Sequence, residues 1–454
     1  MSTTVTQQLE GWGRYPRISA ECLRAGSRRD LQDAIASRDG KPMLARGMGR
    51  AYGDAALLSS GITLLTERLN RILGFDADTG WLRCEAGLSI AEIVRIFLPR
   101  GFFPPVVPGT RFVSVGGALA SDIHGKNHHI AGTWSSHVRN VELLKSTGEI
   151  VVCDADHESE LFRATAGGQG LTGIILSMEI RLIRVESPAV EMESIRVRNL
   201  EEFFEASDAA SDWPYSVGWI NGLAKGNSLG RGIFMAGRHA PAGTRVKKGP
   251  LALIPRRFLS GRLLQSNLLL NGLTARMFNA AYYRKQLRRN IRRNVGVYPY
   301  FFPLDAVHRW NLMYGNRGFF QYQYVVPPDP EHRALRQTLS EISNSRTLPV
   351  LGVIKEFGPE QHGGLSFPTP GVTVALDFPN QGDRSLSLFS RLDDIVADAG
   401  GRVYLTKDAR LGRDAFRRMY PDWERWKVVR DAADPDGVFQ SDLSRRLGLT
   451  DAVD

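Results

Sequence analysis

Arg46-Gly47-Met48-Gly49-Arg50-Ala51-Tyr52-Gly53-Asp54 and Pro108-Gly109-Thr110-Arg111-Phe112-Val113-Ser114-Val115-Gly116-Gly117-Ala118-Leu119-Ala120-Ser121-Asp122-Ile123-His124-Gly125 decide how this chain of 454 residues is read. The first follows a short strand-forming run, Met43 to Arg46. Its closely spaced glycines let backbone N–H groups approach a diphosphate without a clash from Cβ. In the second, Ser114 is a candidate N-cap for a helix starting at Val115, which leaves amide donors aimed at an anion. Gly116, Gly117, Ala118 and Ala120 would let that helix lie close to a flat or extended ligand. Turn-forming glycines are common, so either cluster alone also reads as an ordinary turn. Neither has the Gly-x-Gly-x-x-Gly spacing of a doubly wound turn or the spacing of a Walker loop.

Outward from these clusters, residues 42 to 185 alternate short strands and helices. Met43 to Arg46, Ile62 to Leu65, Trp81 to Glu85, Ile150 to Cys153 and Ile174 to Ile183 read as strands. Ile90 to Leu98 has helical spacing, with Ser89 as its cap. The order does not suggest repeated βαβ units. After about Glu186 the texture becomes β-rich, with Phe319 to Val326 and Val372 to Phe378 as strands. Arg402 to Leu449 reads as helix-rich and charged. Between the β-rich parts lies a basic, apolar stretch, Lys247 to Asn294. There Arg256, Arg257, Arg262, Arg276, Arg284, Lys285, Arg288, Arg289, Arg292 and Arg293 interleave with Leu264, Leu268, Leu269, Leu270, Met277 and Phe278. Its periodicity favours helix, and its mixed faces suit an anionic membrane surface, though a solvated helix with one core-facing side reads equally well.

A formal charge of +10 points to an anionic partner. Nucleic acid is disfavoured because no recognition motif accompanies the charge. Three scattered cysteines, Cys22, Cys84 and Cys153, argue against a zinc site and a disulfide framework. No long apolar run predicts a membrane span, and the polar N-terminus predicts no signal peptide. The expected location is cytoplasmic or peripheral at the inner face of the membrane, with periplasmic exposure left open.

A third cluster, Gly167-Gly168-Gln169-Gly170-Leu171-Thr172-Gly173-Ile174-Ile175, completes a set. In this order the three clusters resemble the FAD-binding domain of the vanillyl-alcohol oxidase (p-cresol methylhydroxylase) flavoprotein family. Further strings are similar to the branch of that family that oxidises decaprenylphosphoryl-β-D-ribose at C2, the flavin subunits of 2′-epimerases. They are Gly11-Trp12-Gly13-Arg14, Ile123-His124-Gly125-Lys126-Asn127-His128-His129, Tyr314-Gly315 with Phe320-Gln321-Tyr322-Gln323, Leu365-Ser366-Phe367-Pro368, and Thr406-Lys407-Asp408. The resemblance runs from about residue 10 to the C-terminus and is weakest across the basic stretch.

The resemblance implies an α+β fold in two domains. A p-cresol methylhydroxylase-type FAD-binding domain would cover 8–186, a β-rich substrate domain 187–401, and a C-terminal segment, 402–454, would return to the first. FAD contacts would come from Arg46, Gly47, Met48, Gly49, Arg50, Ala51, Tyr52, Gly53, Gly109, Ser114, Val115, Gly116, Gly117, Ser121, Asp122, Ile123, His124, Gly125, Ile175, Tyr404 and Lys407. Lys407, Tyr52 and His124 would serve the chemistry. Lys407 is either the base for the hydroxyl proton or a stabiliser of negative charge on the reduced flavin. Tyr314, Gln321, Gln323, Lys126, Lys355, Trp219 and Phe357 would line the substrate pocket, with Lys126 and Lys355 facing a sugar phosphate. A separate NAD(P)H-dependent reductase would complete the epimerisation.

Two departures carry predictions. Related aldonolactone and alditol oxidases often have Arg-Gly-x-Gly-His-Ser, whose histidine bonds to the flavin. Arg50 stands there instead, so FAD is expected to be non-covalent. Ala375 replaces a cysteine of some members, the thiol trapped by nitroaromatic inhibitors, and alanine offers no nucleophile. Three readings stay open: the polyprenylphosphoryl-ribose oxidase, an aldonolactone or alditol oxidase acting on a small soluble sugar, and a non-catalytic lipid-sugar binding module.

Overall fold

The computed structural model describes residues 4–246, 272–359 and 364–450. Among the described residues the N-terminal part builds two sheets. In the first, Arg17–Arg24 and Met43–Arg46 flank Ile62–Leu65 in parallel, and Val5–Glu10 adds an antiparallel edge. Ile62–Leu65 is buried along its whole length, as an apolar run covered on both faces must be. The second sheet is antiparallel, in the order Ile72–Phe75, Trp81–Glu85, Ile174–Arg181, Val138–Leu144, Ile150–Cys153. The helix Ile90–Phe97 buries Ile90, Ile93, Val94 and Phe97, the spacing of one helical face. Its cap is a full capping box between Ser89 and Glu92, an arrangement contributing about 1 kcal/mol. The strand expected from Ile174 to Ile183 ends at Arg181. Ile183–Arg184 then pairs separately with Phe102–Phe103.

The remaining strands form an eight-stranded antiparallel sheet. Its order is Asn290–Gly296, Ala189–Val197, Gly232–His239, Tyr215–Ile220, Leu351–Phe357, Gly371–Pro379, Phe319–Val326, Arg402–Val403. Alternation divides its side chains cleanly. Tyr322, Tyr324, Val374, Leu376, Ile354, Ile220, Phe234 and Ala236 join one core with Phe203, Leu335, Leu339, Ile342, Leu388, Phe389, Leu392 and Val396. Those partners come from the helices Leu200–Asp208, Arg333–Asn344 and Asp383–Asp398. The opposite face carries Gln321, Gln323, Thr373, Ala375, Val353, Lys355, Trp219, Val217 and Met235, and it faces the N-terminal sheets across a cavity.

The C-terminal segment threads both parts. Arg402–Val403 is the last strand of the large sheet, whereas Phe439 bridges to Met43 in the first sheet. The fold is therefore mixed helix and sheet, with an N-terminal cofactor-type domain and a separate sheet-rich domain.

Part of the basic stretch, 247–271, lies outside the described residues, including Arg256, Arg257, Arg262, Leu264, Leu268, Leu269 and Leu270. Helix is found over Gly272–Arg284, but Asn290–Gly296 is a strand, correcting the helical reading there. Its backbone is taken by the ladder to Ala189–Val197, and Arg292 lies opposite Glu193, pairing with it at 2.9 Å. Cross-strand charge pairing outweighs the local helical periodicity.

Candidate active site

Tyr52 is held from both sides. Its N–H donates to Thr406 O at 2.9 Å, and its carbonyl accepts from Gly13 N at 2.9 Å. The next residue, Gly53, packs so tightly that a Cβ would collide with the Asp408 carbonyl. Arg446 locks the joint, donating to both carboxylate oxygens of Asp54 at 2.8 Å and pairing with Asp408 at 2.9 Å. This brings Lys407 over the Tyr52 ring, with Nζ 3.8 Å from its centre. Two loops more than 350 residues apart in sequence thus present one phenol and one amine to the same space.

That space is a single cavity of about 590 Å³. One arm is walled by backbone and small side chains: Gly47, Gly49, Ala51, Gly109, Gly116, Gly117, Ala120 and Gly170. Ser114 caps Val115–Ala120, accepting from Gly117 N, as the sequence predicts. Gly49 has φ +60°, a conformation only glycine adopts cheaply, and this folds the loop back over Arg46.

The cavity is also cationic. Arg50, Lys126, Lys285, Lys355 and Lys407 line the cavity, and among the described residues no aspartate or glutamate does. Lys126, Lys355 and Lys407 are half-buried by exposure because each faces the cavity, yet protein surrounds them on their other sides. Burial lowers all three ammonium groups to about 7. Repulsion from Lys126 and Lys407 adds to the effect on Lys355, whereas Asp377 opposes it at Lys407.

His124 lines the same cavity. Lys355 Nζ lies 2.9 Å from His124 Nδ1 and donates to Gly125 O at 3.3 Å. The Gln323 carboxamide is 3.0 Å from His124 Nε2. The atom there is Gln323 Nε2, which also donates to Thr373 Oγ1 at 3.5 Å, and the ring tautomer sets which of the two His124 contacts carries the ring proton. Burial, then Lys355, hold the ring well below the usual histidine range, so it is neutral. Burial first, then Asp377, raise the Tyr52 hydroxyl, which therefore keeps its proton.

Most residues singled out from sequence line this cavity: Gly47, Met48, Gly49, Arg50, Ala51, Tyr52, Gly109, Ser114, Gly116, Gly117, Ser121, Ile123, His124, Gly125, Ile175, Tyr404 and Lys407, with Lys126, Trp219, Gln321, Gln323 and Lys355. Six do not. Arg46 turns away to donate to Ala56 O and Glu10 O, closing its own loop. Gly53 backs onto Asp408, and Val115 is wholly buried in the N-terminal core. Asp122 accepts from Ser135 N, Ser135 Oγ and Ser366 Oγ, so it ties segments together. Tyr314 stacks on Phe319 at 4.2 Å between ring centres. Phe357 packs edge-on behind His124 at 4.7 Å. For these two aromatics, core packing replaces the expected wall position.

The sequence reading missed Trp12, Gln169, Thr373 and Tyr282 on the wall, and Arg446 behind it. Thr373 was legible in principle, since it shares a strand face with Ala375, which the reading did examine. Arg446 carried no local signal.

The site fits a diphosphate-bearing cofactor on two observations. Cβ atoms built on Gly109 and Gly170 meet nothing, so the wall stands back from the cavity at both. The lining cations have no carboxylate among them, and Arg50 Nε is buried without a hydrogen-bond partner.

Comparison with known proteins agrees. Residues 21–154 match the family model described as FAD binding domain, and 373–447 match that of D-arabinono-1,4-lactone oxidase. The chain is 37% identical to decaprenylphosphoryl-beta-D-ribose oxidase of Mycolicibacterium smegmatis, over 98% of both chains. It is 32% identical to an uncharacterized protein of Streptomyces coelicolor, over 80% of this chain and 100% of that one. L-gulono-1,4-lactone dehydrogenase of Mycobacterium tuberculosis is 22% identical over 96% and 98% of the two chains. With its glycine-lined arm, its cation-rich chamber and this likeness along nearly its whole length, the chain belongs to the FAD-dependent oxidoreductase family that includes decaprenylphosphoryl-beta-D-ribose oxidase.

Proposed function

We propose that the enzyme oxidises the C2 hydroxyl of a polyprenylphosphoryl-β-D-ribose to the 2-keto sugar, the first half of epimerisation to the arabinose lipid used for cell-wall arabinan. The observation that carries this reading is that one cavity is lined by the glycines, by Lys126, Lys355 and Lys407, and by apolar Val217, Trp219 and Met235, the first two on the strand beside the one that carries Lys355 and Met235 on the next. A phosphorylated sugar with an apolar tail matches that combination of cationic and apolar wall. The proposal puts FAD between a domain of residues 8–186, completed by 402–454, and a substrate domain of 187–401.

FAD, when bound, supplies the acceptor for the hydride that leaves the carbinol carbon. The other tasks fall to side chains. With its ammonium lowered to about 7, Lys407 takes the hydroxyl proton in its neutral form. Tyr52, Gln321 and Gln323 hydrogen-bond and orient the sugar, and neutral His124 is fixed between Gln323 and Lys355. Lys126 and Lys355 receive the phosphoryl group, whose charge restores both ammonium ions. Arg50 cannot form the histidine linkage, so acid denaturation releases the flavin. Flavin remaining on the precipitated chain would count against non-covalent binding.

A separate NAD(P)H-dependent reductase then reduces the keto sugar. Exposed Met277 and Leu287, among Arg284, Arg288 and Arg289, support contact with the anionic membrane surface that holds a lipid substrate. Among the described residues no helix is long and apolar enough to cross a membrane. The match to a lactone-oxidase model favours a second reading, oxidation of a small soluble sugar. Anaerobic titration decides between them. Polyprenylphosphoryl-ribose should bleach the flavin while aldonolactones and alditols leave it oxidised, and the reverse order would establish the second reading.

A further inference from the structure

Asp377 is 1% exposed and takes no part in the chemistry above. Strand alternation puts it on the face of Thr373 and Ala375, both on the cavity wall, and the register sets it opposite Gln321. Its Oδ1 accepts from Gln321 Nε2 at 2.6 Å, and the same nitrogen reaches Tyr52 Oη at 3.4 Å. Because Tyr52 Oη accepts there, its own proton is left to be donated elsewhere. Asp377 Oδ2 is buried without a hydrogen-bond partner. A buried carboxylate oxygen left bare is costly unless charge nearby answers it.

Burial raises the Asp377 carboxyl to about 7; the Gln321 hydrogen bond and then Lys407 oppose this, and the field of Asp377 in turn raises Lys407 against its own burial. The other titratable groups around the pair are Tyr52 and Tyr314, both kept protonated by burial, then His124, kept neutral, and Lys355, itself facing Lys126. Arg50 and Asp305 also act on Tyr52. Asp305 acts on Tyr52 and the adjacent Asp408 is paired with Arg446 and Arg410, so Asp377 is the carboxylate that acts on Lys407.

We infer that Asp377 is a positioning residue of the proton transfer: it fixes Gln321 so that Tyr52 offers its O–H to the cavity, and it is the counter-charge that keeps the substrate's proton on Lys407. The inference rests on Lys407 being the base in the proposed reaction. In that step the substrate O–H bond breaks and an N–H bond forms on Lys407. The carbinol C–H electron pair leaves as hydride to FAD, and a carbonyl remains. Asp377 forms no bond to the substrate and acts through the charge of its ionised form, which the Gln321 hydrogen bond and Lys407 favour against burial.

The test uses the FAD-loaded enzyme and follows anaerobic flavin bleaching by a polyprenylphosphoryl-ribose across the neutral pH range. The wild-type rate rises with pH along an acid limb set by Lys407 and Asp377 together. Asp377→Asn keeps the volume and removes the charge, so the ammonium is less favoured and the limb moves to lower pH by about one unit. Asp377→Glu keeps the charge and leaves the limb near its wild-type position. An Asp377→Asn limb superimposed on that of the wild type overturns the inference, as does an equal shift in Asp377→Glu. If Asp377→Asn purifies without FAD, Gln321→Leu is read in the same way. That change removes the hydrogen bond favouring the carboxylate, so its limb also moves down, and an unmoved limb overturns the inference. A wild type that the sugar lipid never bleaches defeats the proposed substrate instead. The limb is then measured with the alcohol that does bleach it, since it belongs to the enzyme.

Discussion

Lys407 shows how much one side chain depends on its surroundings. On an exposed loop an ammonium is fully charged at neutral pH and useless as a base. Buried beside Tyr52, with only Asp377 opposing the effect, it loses its proton readily enough to accept another. Lys407→Met should therefore lower the rate of anaerobic flavin reduction by about 10²–10⁴-fold while the purified protein keeps its yellow colour. Loss of colour instead would assign the lysine to holding the cofactor. At Ala375 the expectation runs the other way. It lines the cavity between Gln323 and Val353 but has no thiol. Incubation with a nitroaromatic inhibitor and substrate should leave the intact mass unchanged. An adduct mapped to Gly371–Pro379 would refute this.

The glycine-lined arm depends on two elements meeting closely. A Cβ on Gly47 would strike the hydroxyl of Ser114, the group that caps Val115–Ala120. Gly47→Ala must therefore displace the loop or break the cap, a cap of this kind being worth about 1 kcal/mol. The expected result is a folded protein with a reduced ratio of flavin to protein absorbance. Full flavin occupancy in Gly47→Ala would mean the two elements do not jointly hold the cofactor. In the large sheet, Phe319–Val326 sends Tyr322 and Tyr324 into the helix-backed core and Gln321 and Gln323 to the site. A slip of one residue would exchange these sets, so core packing and site assembly enforce the same register.

Across the whole molecule, the cavity is walled by the N-terminal sheets, by the large sheet and by the returning C-terminal loop. A ligand that binds only when these are together stabilises all of them by mass action, about 2.7 kcal/mol at a hundredfold excess over Kd. Stripping the flavin should lower the melting temperature, and adding FAD back should restore it. An unchanged melt would show that the cavity does not join the parts energetically.

Much of this was legible in the sequence because it is local. Helix caps at Ser89 and Ser114, the strands Met43–Arg46 and Phe319–Val326, and the glycine-rich turns follow from φ preferences and from periodicity over a few residues. Resemblance across ordered motifs supplied the cofactor. What local pattern could not supply was contact between distant segments. Tyr314 and Phe357 pack behind the wall because neighbouring rings claim them, and Asn290–Gly296 is a strand because Ala189–Val197 offers it a ladder and Glu193 a charge. Arg446, Asp54 and Asp408 have no shared signal until the chain returns on itself. The sequence by itself determined which residue types could cradle a diphosphate and hold a proton. Only the tertiary structure decided which of them share a cavity and with what charge, because burial and long-range fields depend on neighbours far along the chain.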